Sequence, residues 1–176
     1  MLALLLLLCT TPASALSSRQ AGPALDLAAG LGLSGAPVRA ALGGQLSAGW
    51  WFGTYDDAYA LGRYWWIGPT GRVDLHGERI AIASMLEIRR GLDVIVAGLN
   101  LFVAGGVVST LAEPAPPLGY TGRAGLMARY RFHRYWGLTL RLEGGADLID
   151  ARISPAIGIL LGVAFARPSK QHDPEI

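Results

Sequence analysis

The stretch WGLTLRLEGGADL, residues 136–148, sorts its side chains into two classes by simple alternation. Leu138, Leu140, Leu142 and, past a glycine, Ala146 and Leu148 fall on one side, while Thr139, Arg141, Glu143 and Asp147 fall on the other. A period of two means a β-strand with one apolar and one charged face. In a soluble sheet the leucines pack inward, whereas in a membrane barrel they meet lipid and the charges line the interior. Which solvent wets the leucine face decides the fold.

Composition leans towards lipid. The chain has 176 residues, enough for one domain, of which 52% are hydrophobic and 16% charged, against the roughly 25% charged residues usual in soluble domains. Mean hydropathy is +0.37. Beyond the N-terminus, only 92–110 rivals the run of about 18 apolar residues that a spanning helix needs. The apolar residues are dispersed among 24 glycines, and a net charge of +2 is too small to argue for a nucleic-acid partner. The N-terminus reads as an export signal over residues 1–15, with LALLLLLC as the apolar core and ASA at 13–15 as a small-x-small cleavage site. Cleavage there removes Cys9, and with it any disulfide or thiolate chemistry.

A short leader (16–23) then precedes a barrel region (24–166) and a polar tail (167–176). Eight strands are expected. The first is 24–33, with Leu25, Leu27, Leu31 and Leu33 on one face and Asp26, Ala28 and the glycines on the other. The second is 38–52 and the third 58–67, closed by GPTG as a turn. The fourth, 71–89, is interrupted near HGE and ends at a turn in RRG. The fifth is 92–110, where Asp93, Asn100 and the β-branched content favour a strand over a membrane helix. Proline excludes regular structure over AEPAPPLG, 112–119. The sixth is 121–133, the seventh the opening stretch and the eighth 155–166.

Three features favour lipid on the leucine face. The polar face mixes glycine and alanine with ionic residues, as a narrow interior requires, because eight strands leave room only for side chains. Aromatic residues cluster at strand ends, where a headgroup girdle is expected from Trp50, Trp51, Trp65, Trp66, Tyr130, Tyr135 and Trp136. Exported apolar strands are an aggregation hazard unless they close on themselves. The fold expected is therefore all-β, an eight-stranded antiparallel up-and-down transmembrane β-barrel. With the first strand starting on the periplasmic side, the Pro-rich connection after the fifth strand is extracellular. A soluble periplasmic or secreted ligand-binding β-barrel stays open as the alternative.

The segments LDLAAGLGLSG, RAALGGQLSAGWWF, LMARYRFHRYWGLTLRLEGGADL and PAIGILLGVAFA resemble the small eight-stranded, porin-like outer-membrane β-barrel proteins of Gram-negative bacteria. The resemblance implies residence in the outer membrane, with the lipid bilayer as surroundings. It also implies insertion by the outer-membrane assembly machinery, which reads a last strand ending in an aromatic; Phe165 stands there. Eleven residues follow Phe165, where that family usually stops.

No catalytic, cofactor-binding or metal-ligating set is expected. His76, His133 and His172 lie far apart in sequence, and no G-x-S-x-G signal occurs. The feature richest in chemistry is a set of inward charges, expected to form interior ion pairs: Asp26, Arg39, Glu87, Arg89, Asp93, Arg123, Arg129, Arg131, Arg141, Glu143 and Asp147. Such pairs fill a barrel with a structural or surface-interaction role; a narrow anion-preferring channel is the alternative.

Overall fold

In the computed structural model, which describes residues 17–35, 39–56, 61–77, 79–94, 96–111, 117–133 and 135–166, the chain forms antiparallel strands that run up and down in sequence order. They are β1 (Ser17–Ser34), β2 (Arg39–Asp56), β3 (Leu61–His76), β4 (Arg79–Val94), β5 (Ala97–Leu111), β6 (Leu118–Arg131), β7 (Trp136–Ile149) and β8 (Arg152–Ala166). The barrel closes where β1 pairs with β8, from Ala24 opposite Ala166 to Ser34 opposite Ala156. Closure removes the sheet edges that apolar strands would otherwise expose. Both ends of the described chain lie at one mouth, the terminal end; the strand ends at Ser34, Arg39, His76, Arg79, Leu111, Leu118, Ile149 and Arg152 lie at the other, the loop end.

The polarity of the barrel is inside-out. Along β7 the exposed residues Leu138, Leu140 and Leu142 alternate with the buried Thr139, Arg141 and Glu143. The same phase holds on β8, where Ile157, Ile159, Leu161 and Val163 face out. Glu87, Ser47 and Asn100, all polar, are each 0% exposed, while Leu31 and Leu161 are 66% and 67% exposed. A core in the usual sense is confined to a small cluster near the loop end, Ala81, Ala83, Met85, Ala104 and Val108.

Several boundaries differ from those expected. The GPTG segment is not a turn: Gly68–Gly71 runs through the middle of β3, and the chain reverses at Gly77, which takes φ +62°. Two neighbouring strands hold that segment extended, although the β2–β3 pairing is missing opposite Ala48 and Gly49, where Pro69 has no N–H to offer. In consequence β4 begins at Arg79 rather than 71, RRG (89–91) lies inside it, and β5 begins at Ala97. The segment 92–110 holds the end of β4 and most of β5, and no described part of it is helical. Residues 17–23, expected as a leader, extend β1 and pair with β2 alone. The C-terminal part of the proline-rich segment, Leu118–Gly119, already belongs to β6. The export signal, the polar tail, His172 and residues 112–116 lie outside the described residues.

Turn chemistry sets the hairpin between β7 and β8. Asp150 and Ala151 take φ values of 51° and 58°, the left-handed pair of a type I′ turn, whose twist matches that of the flanking strands.

Candidate functional site

The site with the most chemistry is the lumen itself. Period-two alternation delivers one side chain per strand to each level of a narrow cylinder, and the charged and polar ones meet across it. Asp26, Arg89, Glu87, Arg141, Glu143, Arg72 and Asp74 form a chain in which carboxylates and guanidiniums alternate. Arg89 donates to Asp26 at 2.9 Å and to Glu87 at 2.5 Å. Arg141 donates to Glu87 at 2.9 Å and to Glu143 at 3.0 Å. Arg72 donates to Glu143 and, at 2.6 Å, to Asp74.

Polar side chains add to the network around Glu87. Thr70 Oγ1 stands 3.2 Å from Glu87 Oε2 and 3.0 Å from Ser47 Oγ, and the Gln45 amide donates to Ser47 at 3.1 Å. The guanidiniums also lie on aromatic faces, Arg89 at 4.1 Å from the Trp66 ring centroid and Arg141 at 3.5 Å from that of Phe102. A buried charge is tolerable only when paired and hydrogen-bonded, because unpaired burial costs several kcal/mol per ion. Here almost every charge near the middle of the lumen has a partner across the barrel.

Of the expected interior ions, Asp26, Glu87, Arg89, Arg141 and Glu143 lie in this chain. Arg123 pairs with Asp147 at 2.8 Å towards the loop end, and Arg131 with Asp93 at 2.7 Å towards the terminal end. Arg129 is half-buried and has no carboxylate within salt-bridge distance among the described residues. Arg39 is a correction: it shares the inward phase but stands exposed at the loop-end rim, too far up its strand to reach the paired ions, beside His76 and Arg79. Arg72 and Asp74 were missed because reading GPTG as a turn broke the alternation at that point.

The aromatic girdle needs a correction on the same physical ground. Trp50 and Trp51 are adjacent, as are Trp65 and Trp66, so one of each pair must point inward. Trp66 is 3% exposed and lies in the lumen, and Trp51 shares its inward phase, while Trp50 is 52% exposed on the outside. Trp65 faces out with Arg90 4.9 Å from its ring, and Tyr130 and Trp136 are exposed near the same end. Tyr135 lies in the β6–β7 turn, its ring 6.3 Å from Phe165, which in turn stands 5.1 Å from Trp136. The outward aromatics thus gather at the terminal end, and Tyr120 is the exposed aromatic near the other.

Two cavities flank the salt-bridged middle. One, of about 100 Å³, lies at the terminal end, against Trp66, Arg89, Arg129 and Tyr135. The other, of about 210 Å³, lies at the loop end, against Arg39, His76 and Asp147. They share no lining residue. The Ser34 hydroxyl lies 3.1 Å from His76 Nδ1 at the loop end, but among the described residues no carboxylate bonds to that imidazole, so the group that would orient a catalytic base is missing. His133 sits exposed in the β6–β7 turn. Among the described residues no group of three or more His, Cys, Asp or Glu side chains is placed to hold a metal ion.

The fold is shared with small bacterial outer-membrane barrels of eight strands. The crystal structure of Neisserial surface protein A matches with a TM-score of 0.55 at 10% identity, over 86% of this chain and 99% of that one. The structure of Ail, the attachment invasion locus protein of Yersinia pestis, in complex with the heparin analogue sucrose octasulfate, is similar at a TM-score of 0.48 and 9% identity, over 85% of this chain and 99% of that one. No protein-family model and no curated protein sequence matches the chain.

Proposed function

We propose that the chain is an integral outer-membrane barrel of a Gram-negative bacterium, with a structural or surface-interaction role and no catalytic activity. The observation that carries this reading is the inverted polarity: leucines and isoleucines cover the outside of every strand face while ions fill the inside. In water such an exterior is a continuous apolar surface far beyond what soluble monomers expose. In a bilayer it is the required exterior, since a closed barrel satisfies every backbone group internally and presents hydrocarbon to hydrocarbon. A soluble ligand-binding barrel would need the opposite arrangement.

The aromatic-rich terminal end belongs at the periplasmic face, with Phe165 near the end of β8 offered to the outer-membrane assembly machinery. The loop end then faces outward. There the β7–β8 turn is two residues, Asp150–Ala151, and the strand ends at Arg39, Arg79 and Arg152 form a basic rim for contact with a partner. Conduction is disfavoured, because the chain of ion pairs from Asp26 to Asp74 separates the two cavities.

Fractionation tests the reading. The protein is expected in outer membranes, released only by detergent, and with a different gel mobility before and after boiling. Recovery in the soluble periplasmic fraction without detergent would reject it.

A further inference from the structure

We infer that the terminal-end cavity is a binding site for a small organic carboxylate with an apolar body. The inference rests on the closed barrel and its lumen, not on where the barrel resides. The cavity of about 100 Å³ has aromatic walls from Trp51, Trp66 and Tyr64. It is of the same order as the ~150 Å³ apolar void that takes up benzene, so a ring or a short acyl chain is the right size of occupant.

Three N–H donors at this space, two of them on guanidiniums, have no protein acceptor. Arg89 is 3% exposed, and while its Nε and Nη1 serve Glu87 and Asp26, its Nη2 has no hydrogen-bond partner. Arg129 Nε is also buried and unpartnered, and so is the indole N–H of Trp51. The direct pairings at the cavity point the same way. Of the three guanidiniums at the cavity, Arg89 and Arg131 have carboxylate partners in Asp26 and Asp93, and Arg129 has none within salt-bridge distance. Its charge also acts on Asp93, from beyond salt-bridge distance. Two atoms able to accept, Asp93 Oδ1 and the Tyr64 hydroxyl, are also unpartnered beside them, while the other Asp93 oxygen accepts from Arg131 at 2.7 Å.

Buried donors without acceptors carry a desolvation cost that a ligand can relieve. A planar carboxylate suits a guanidinium fork, since two parallel N–H···O bonds match its two oxygens. Stacking of the ligand body on Trp66 or Tyr64 supplies the apolar contact.

Fluorine NMR of para-fluorobenzoate with the refolded barrel in detergent micelles tests the site. Saturable binding near about 1 mM is expected, and para-fluorobenzamide, equal in shape but uncharged, should bind at least about tenfold more weakly. Arg129→Gln should weaken the benzoate about tenfold, Arg129→Lys should restore much of it, and Arg79→Gln at the far rim should change nothing. The shift in gel mobility on boiling verifies that each variant is folded, and Arg129→Lys keeps the test decisive should Arg129→Gln fail to fold. Equal binding of benzoate and benzamide, tighter binding of benzylamine, no saturable binding, or indifference to Arg129→Gln would each overturn the site. None of these outcomes bears on the fractionation result.

Discussion

Glu87 is the residue on which the lumen network turns, and replacing it measures what that network contributes. Its carboxylate is 0% exposed and accepts from Arg89 at 2.5 Å and from Arg141 at 2.9 and 3.1 Å. Thr70 at 3.2 Å and Gln45 at 3.4 Å complete its shell. Removing one partner of a buried pair costs about 3–5 kcal/mol, because the remaining charge is left uncompensated. Here both arginines keep a second carboxylate, Asp26 for Arg89 and Glu143 for Arg141. The chain also passes from four carboxylates against three guanidiniums to three against three. Glu87→Ala should therefore fall near the lower end, about 3 kcal/mol. Glu87→Gln keeps one acceptor but turns an amide N–H₂ towards groups that all donate, and should cost about 1–3 kcal/mol. Urea unfolding of the barrel in detergent, followed by tryptophan fluorescence, gives both values. Arg79→Gln, exposed at the rim, serves as the reference and should stay within about 0.5 kcal/mol. If Glu87→Ala unfolds with the wild-type midpoint, the ion chain is not what stabilises the lumen.

Further outcomes follow from the same geometry. Leu142→Arg places a charge on the outer face between Leu126 and Ile159 and should destabilise the inserted barrel by about 2–4 kcal/mol; refolding yields into liposomes check it, and an unaffected yield contradicts a lipid-facing position. A Cβ at Gly91 would stand 2.4 Å from the Tyr64 ring, so Gly91→Ala should cost about 1–3 kcal/mol by overpacking, read in the same urea titration. Ala151→Gly removes a side chain from a left-handed position, φ 58°, and should stabilise the barrel by about 1 kcal/mol, seen as a higher unfolding midpoint.

How much of this was legible depended on whether the alternation ran unbroken. In β6, β7 and β8 the apolar phase continues from end to end, and the expected strands fall within three residues of those observed. In β3 it was cut by GPTG, a local turn signal that loses to two flanking ladders. That loss shifted three boundaries and hid Arg72 and Asp74. The paired tryptophans show a different limit. Clustering at a strand end indicates an interface, but only the phase of the alternation says which of two neighbours meets lipid. Pairing across the lumen was beyond reach for a third reason: contacts such as Arg89 to Asp26 join residues 63 apart in the chain, and their register depends on the shear of the closed barrel rather than on any local pattern. The rim position of Arg39 is the converse case, since phase alone does not say how far along the axis a residue sits.

The inverted polarity is tested most directly by spin labels on single cysteines at residues 138–143, in a chain whose one native cysteine, Cys9, is replaced. In liposomes, oxygen accessibility should rise at 138, 140 and 142 and fall at 139, 141 and 143. Contact of 138, 140 and 142 with an aqueous relaxation agent, or the opposite phase, would contradict a leucine face wetted by lipid.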